Sequence, residues 1–170
     1  GIRQIPIKDL LMPNDKKWKI KTLNKIHNSY HDSQFYDEVV SDVKSLIMNE
    51  SEYFSDYSIN IVNFLVEKLN IDTKIFIDTD FEKEFGLSNE RNIAICREID
   101  AKTYFSGIGA KEYNDKNLFK INNLDLIYQN YSHPVYHQNS DQFIAGLSII
   151  DVIINCGYEK TEKILKNNGC

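Results

Sequence analysis

The stretch that decides the fold is FIAGLSIIDVIINCG, residues Phe143–Gly157, the most apolar segment of this chain of 170 residues. Three polar residues interrupt it, namely Ser148, Asp151 and Asn155. Their spacings of three and four place them on one side of a helix. Because burying an unpaired carboxylate is expensive, we expect Asp151 to face water, a partner or a ligand.

Helical patterns dominate the sequence on both sides of this segment. The C-terminal part is predicted to form two helices that break at Gly157, since glycine is a poor helix former. In the first half, apolar spacing predicts three helices. Their apolar residues span 18–30, 35–47 and 59–69, with Ser33 predicted to cap the second and Ser55 or Asp56 the third.

Strand signals alternate with shorter helical patterns in the second half. Strands are predicted at Lys74–Ile77, Thr103–Phe105 and Leu126–Tyr128, with a further edge strand at Ile2–Ile7. One helix is predicted from Ser88, and another, capped by Asp115, runs through Phe119 and Ile121. This order predicts an α/β fold. A helix-rich N-terminal half is followed by strand–helix alternation, and a small, mostly parallel sheet is flanked by helices.

Size and charge narrow the choice of protein class. A chain of this length buries roughly 70% of its unfolded surface, which favours one domain over residues 1–170. The net charge of -5 argues against nucleic acid or an anionic membrane as the main partner, and no apolar run is long enough to span a bilayer. The chain has three cysteines without metal-type spacing, which indicates a reducing cytoplasm.

No cofactor can be assigned from the sequence, and no metal site is predicted. His27 with His31, and His133 with His137, have spacings of four, but no carboxylate lies at the spacing of a zinc protease. Ser106–Lys111, SGIGAK, follows a predicted strand and lacks the Walker A pattern. It is either a plain turn or a loop whose glycines allow close approach to an anion or a carbonyl group.

Three segments together carry a family resemblance: TYFSGIGAKEYND (Thr103–Asp115), PVYHQ (Pro134–Gln138) and Phe143–Gly157. They resemble the C-terminal part of the WbqC-like proteins of bacterial surface-polysaccharide gene clusters. That family usually begins with a segment containing a Gln-Pro-Tyr-Phe-Phe-Pro-type motif, which has no counterpart here. Since the chain also starts at Gly1 without methionine, we expect a WbqC-like domain that is incomplete at its N-terminus.

The resemblance implies a cytoplasmic enzyme of O-antigen or capsule biosynthesis. Its most concrete version is a transferase that moves an acyl or aminoacyl group to a nucleotide-linked amino sugar. In this scheme Asp151 acts as the general base and Tyr113 is the second catalytic residue. The substrate-binding residues that it implies are Gly107, Gly109, Lys111, Tyr136, Gln138, Ser148 and Asn155.

Other interpretations of the same residues stay open. Ser148 and Asp151 also fit a helix cap that requires no ligand. In that interpretation the protein is a non-catalytic partner that docks onto a biosynthetic enzyme through Phe143–Cys156. A separate alternative is a nucleotide-dependent, adenylate-forming enzyme whose phosphate motif is supplied by the missing N-terminal segment. The expected partner is a nucleotide sugar or another small molecule, and a homo-oligomer is also compatible with the sequence.

Overall fold

The computed structural model describes residues 5–168, which fall into two compact units. Unit 1 comprises residues 5–73 and 133–168, and unit 2 comprises residues 74–132. In chain order the regular elements are α1 (Lys17–Tyr30), α2 (Tyr36–Met48), α3 (Phe54–Lys68), α4 (Ser88–Glu98), β1 (Thr103–Ser106), α5 (Lys116–Ile121), β2 (Asp125–Tyr128) and α6 (Ile149–Asn168). None of the helices in this part of the chain has the length and apolarity needed to cross a membrane.

The core of unit 1 forms where α2 packs against the first half of α6. Tyr36, Val39, Val43 and Ile47 form one stripe along α2 because they recur at intervals of three and four residues. They meet Ile153 and Ile154 of α6, and the two elements bury each other's apolar faces. The apolar segment Phe143–Gly157 therefore supplies two of the six buried residues of this core, in keeping with its apolar composition.

Gly157 interrupts α6, which confirms the predicted helix break. Its φ of 73° and ψ of 170° lie in a region that is essentially restricted to glycine. The carbonyl of Ile154, which would bond Tyr158 in an unbroken helix, accepts a hydrogen bond from the Phe35 amide at 3.2 Å. The Phe35 ring lies so close that a Cβ on Gly157 would be 2.8 Å from its Cδ1 atom.

Unit 2 contains a β–α–β arrangement in which α5 connects two parallel strands. The register pairs Thr103 with Asp125 and Ser106 with Tyr128. Asp115 caps α5 as predicted, since its Oδ1 accepts hydrogen bonds from the amides of Asn117 at 2.9 Å and Leu118 at 3.1 Å. A separate core lies here, formed by Ile93, Cys96, Phe119 and Leu124. The two strands and their parallel pairing confirm the α/β class.

Four local predictions require correction or fall partly outside the described residues. Lys74–Ile77 is not a strand, and Ile75 and Phe76 are exposed, because a β-rich sequence forms a strand only where another strand pairs with it. Residues 2–4 lie outside the described chain, and Ile7 begins a short 3-10 turn instead of ending a strand. The Ser33 side chain does not cap α2 but accepts a hydrogen bond from Asn139, and α3 begins at Phe54 without a side-chain cap.

Candidate functional site

A buried carboxylate is the centre of the candidate site in unit 1. Asp151 lies in the first turn of α6 with only 3% of its surface exposed. Its Oδ1 accepts hydrogen bonds from the Tyr30 hydroxyl at 2.9 Å and the Asn155 amide at 3.2 Å. Its Oδ2 accepts hydrogen bonds from the Tyr136 hydroxyl at 2.5 Å and the Gln138 amide at 2.9 Å. Each carboxylate oxygen therefore has two donors, which offset its removal from water.

Local structure explains how three of these four donors reach the carboxylate. Asn155 follows Asp151 by one helical turn, so the two side chains lie on one face of α6. Tyr136 and Gln138 are two residues apart in the loop that precedes α6, and Gln138 is fixed there by two hydrogen bonds with Ile144. Its Oε1 accepts from the Ile144 amide at 2.8 Å, and its Nε2 donates to the Ile144 carbonyl at 3.0 Å.

The fourth donor, Tyr30, was missed in the sequence analysis. It is the last residue of α1 and lies 121 positions from Asp151 along the chain. Its aromatic character fits the apolar face of α1, so no local signal distinguishes it from a core residue. Only the packing of the helices brings its hydroxyl to the carboxylate.

The environment of Asp151 changes the acidity of both tyrosines. Burial, the hydrogen bond to Asp151 and the charge of that carboxylate together raise the pKa of Tyr30 to about 12. The same causes raise the pKa of Tyr136 to about 12, although the hydrogen bond from Gln138 acts in the opposite direction. Burial also raises the pKa of the adjacent Cys156 thiol, which keeps it neutral and a poor nucleophile.

These tyrosines make unit 1 sensitive to alkali. The ordinary tyrosine pKa of 10.0 is raised to about 12 in the fold, so the neutral hydroxyls stabilise the folded state fully below pH 10. We expect this contribution to disappear as the pH rises from 10 towards 12. Urea unfolding followed by the fluorescence of Trp18, the single tryptophan, measures the effect.

The double variant Tyr30→Phe/Tyr136→Phe is the matched control, because phenylalanine retains the ring and removes the ionisable group. Tyr158 also has a raised pKa, caused by burial and its hydrogen bond to Asp42, and it is present in both proteins. The pH dependence should therefore become shallower in the double variant without vanishing. An identical slope in both proteins would show that these hydroxyls do not govern alkaline stability.

Ser148 and Asn155 occupy different positions in this network. The Ser148 Oγ accepts a hydrogen bond from the Ile150 amide at 3.3 Å, as a residue that caps a helix does. Asn155 donates to both the backbone and side-chain oxygens of Asp151, and these two acceptors fix the orientation of its amide. Its Oδ1 is buried and has no hydrogen-bond partner within residues 5–168. A donor from water or a ligand would satisfy this oxygen.

A polar groove of about 540 Å³ lies beside the network, at the end of α1. Its lining combines amides, hydroxyls, imidazoles and carboxylates, supplied by Asn28, Ser29, His31, Asp32, His137, Gln138, Asn139, Ser140 and Asp141. Gln138 belongs to both the groove and the network, so the buried carboxylate holds one wall of the groove in place. Sequence reasoning missed most of these residues, because residues 28–32 and 137–141 meet only in the tertiary structure.

The remaining predicted site residues lie in unit 2. Gly107 precedes a single 3-10 turn, Ile108–Ala110, directly after β1, and Gly109 is the middle residue of that turn. Neither glycine has a positive φ, and a Cβ on either would have no neighbour within 4 Å. Lys111 and Tyr113 are exposed beyond this turn. The protein's own packing therefore does not require glycine here, and the role of this loop in substrate binding stays a prediction.

Comparison with known proteins identifies one family along nearly the whole chain. The sequence profile of the WbqC-like protein family matches residues 1–163. The uncharacterized protein Rv1507c of Mycobacterium tuberculosis strain H37Rv is 28% identical over 100 residues, a region that covers 58% of this chain and 43% of that protein. The chain thus matches less than half the length of that relative. No solved structure matches.

Proposed function

The chain belongs to the WbqC-like protein family, and we propose that it is an enzyme of bacterial surface-polysaccharide biosynthesis that acts in the cytoplasm. In the most concrete form of the proposal, it transfers an acyl or aminoacyl group to the amine of a nucleotide-linked amino sugar. The residues that we assign to this activity are those of the polar groove and the network around Asp151 in unit 1.

The observation that carries the proposal is that Gln138 joins the polar groove to the buried carboxylate. Sugar hydroxyls both donate and accept hydrogen bonds, and the amides of Asn28 and Asn139 offer both functions. The carboxylates of Asp32 and Asp141 suit an amine, which is a cation before it reacts. Holding Gln138 through Asp151 and Ile144 orients this wall before the substrate arrives.

In the proposed reaction the sugar nitrogen attacks the acyl carbonyl carbon, a carbon–nitrogen bond forms and the leaving group departs. A base must accept the proton that the amine loses. Asp151 can serve as this base only if one of its four hydrogen-bond donors moves away from the carboxylate. Its geometry is better suited to a positioning role, in which it holds Tyr136 and Gln138 in place. His137 lines the groove itself, and imidazole is an effective base near neutral pH.

A partner protein that docks through Phe143–Cys156 is the less favoured alternative. Ile153, Ile154 and Cys156 are buried in unit 1, where α2 already covers the apolar face of α6. Ile144 and Leu147 are the exposed large apolar residues of this segment, and two side chains make a small surface for another protein. We therefore place function in the polar groove.

Thermal denaturation in the presence of a nucleotide-linked amino sugar tests the proposal. A ligand at a hundredfold excess over its Kd adds about 2.7 kcal/mol, and each kcal/mol raises the Tm by roughly 2–4 °C in a domain of this size. We expect such a shift in the wild-type protein and a weaker one with the same sugar lacking its amine. Asp141→Asn should reduce the affinity by about tenfold, through loss of a charge-assisted hydrogen bond.

Asp72→Asn is the control, since Asp72 is an exposed aspartate of unit 1 outside the groove. Mass spectrometry with an acyl thioester donor then detects transfer to the sugar amine, and His137→Ala should slow it. The proposal fails if Asp141→Asn and Asp72→Asn bind the amino sugar equally well.

A further inference from the structure

Unit 2 has a groove of about 610 Å³ of its own, along α5 and β2. Its polar lining consists of Lys116, Lys120, Asn123, Asp125 and Tyr128. None of these residues belongs to the site in unit 1. The two lysines and one aspartate give the lining a formal charge of +1, in a chain whose net charge is -5.

The two lysines of this groove are one helical turn apart on α5. Both are exposed, and neither ammonium has a carboxylate within ion-pairing distance in the described part of the chain. Like charges at this spacing repel each other and destabilise a helix slightly. An anion bound between them would replace this repulsion with two attractive contacts.

Tyr128 supplies an independent sign of a ligand in the same groove. Its hydroxyl is buried and has no hydrogen-bond partner among residues 5–168. The Lys116 ammonium lies 5.9 Å from the centroid of the Tyr128 ring, so the cation and this side chain are neighbours in the groove. A buried hydroxyl without a partner is costly, so a rotation of the Tyr128 side chain that brings its hydroxyl to a phosphate oxygen in the groove would be favourable.

We propose that the groove formed by Lys116, Lys120, Asn123 and Tyr128 is a binding site for the diphosphate group of a ligand. A diphosphate has several acceptor oxygens and needs more than one donor. The groove supplies two ammonium groups, a phenol hydroxyl and a side-chain amide. The exposed Asp125 carboxylate at the same groove opposes an anion and limits its affinity. The inference concerns unit 2 alone and does not depend on the proposed transferase activity.

Titration with pyrophosphate, followed by calorimetry at constant ionic strength, tests this site. Lys116→Gln/Lys120→Gln should weaken binding by at least about tenfold, through loss of two charge-assisted contacts. Tyr128→Phe should also weaken it, whereas Asp125→Asn should tighten it by about two- to threefold, through loss of one repulsive charge. Lys44→Gln is the matched control, since Lys44 is an exposed helical lysine of α2 in unit 1.

Three probes identify the part of the ligand that is recognised. Binding of both pyrophosphate and UDP, with no binding of uridine, supports the diphosphate as the recognised group. Tighter binding of UDP than of pyrophosphate supports a nucleotide as the source of that group. Unchanged pyrophosphate affinity in Lys116→Gln/Lys120→Gln, or binding of uridine without pyrophosphate, would overturn the assignment.

Discussion

Asp151→Ala is expected to lower the free energy of unfolding of unit 1 by about 2–4 kcal/mol, since a buried hydroxyl without a partner costs about 1–3 kcal/mol. Removing the carboxylate leaves the hydroxyls of Tyr30 and Tyr136 without the acceptor they share. The side-chain amides of Gln138 and Asn155 each keep one hydrogen-bond acceptor, because each also donates to a backbone carbonyl.

Urea unfolding followed by Trp18 fluorescence reports this change, because Trp18 belongs to α1 in unit 1. Asp72→Ala removes an exposed carboxylate from the same unit and should change stability by less than about 0.5 kcal/mol. The loss of stability in Asp151→Asn should be smaller than in Asp151→Ala and larger than in Asp72→Ala. Either orientation of the new amide places its NH2 group against the amide donor of Gln138 or of Asn155. Equal stability of Asp151→Ala and Asp72→Ala would contradict a structural role for the network.

Gly157→Ala is the second substitution with a large expected effect, a loss of about 3 kcal/mol. Two costs combine here. Alanine strains the backbone at φ 73° and ψ 170°, at roughly 1–3 kcal/mol. Its Cβ also lies 2.8 Å from Cδ1 of Phe35, so the Phe35 ring must move within a packed core, at roughly 1–3 kcal/mol.

Gly146→Ala separates the two costs. Gly146 has a similar φ of 76°, but the atom nearest to an added Cβ, Nε2 of His133, is at an ordinary contact distance of 3.9 Å. We therefore expect Gly146→Ala to lose only about 1–2 kcal/mol, from positive φ alone. Unfolding of both variants is followed by Trp18 fluorescence, since both glycines lie in unit 1. Equal losses would mean that Phe35 moves aside freely and that the backbone alone requires glycine at 157.

The predictions that proved correct rest on local patterns. Gly157 breaks α6 because a glycine within a helical pattern marks an interruption, and Asp115 caps α5 because its carboxylate reaches amides two and three residues away. The stripe of Tyr36, Val39, Val43 and Ile47 likewise follows from the helical period. In each case the interacting groups are neighbours in sequence, so no knowledge of distant segments is required.

The predictions that failed depended on distant partners. Lys74–Ile77 has the composition of a strand but has no strand beside it. Serine is a residue type that commonly caps helices, but the Ser33 hydroxyl accepts a hydrogen bond from Asn139, which is 106 positions away. Local and distant hydrogen-bond partners compete for a hydroxyl or a backbone amide, and the tertiary structure determines which of them is present.

The residues of the candidate site can also be divided into those that the sequence indicated and those that only the tertiary structure revealed. Sequence and family resemblance were enough to select Tyr136, Gln138, Asp151 and Asn155, because motif residues are visible without coordinates. Only the folded chain could supply Tyr30 and the groove between residues 28–32 and 137–141. The physical reason is that helical period and glycine conformation act over a few residues, whereas a buried carboxylate takes its donors from whichever elements the core packs around it.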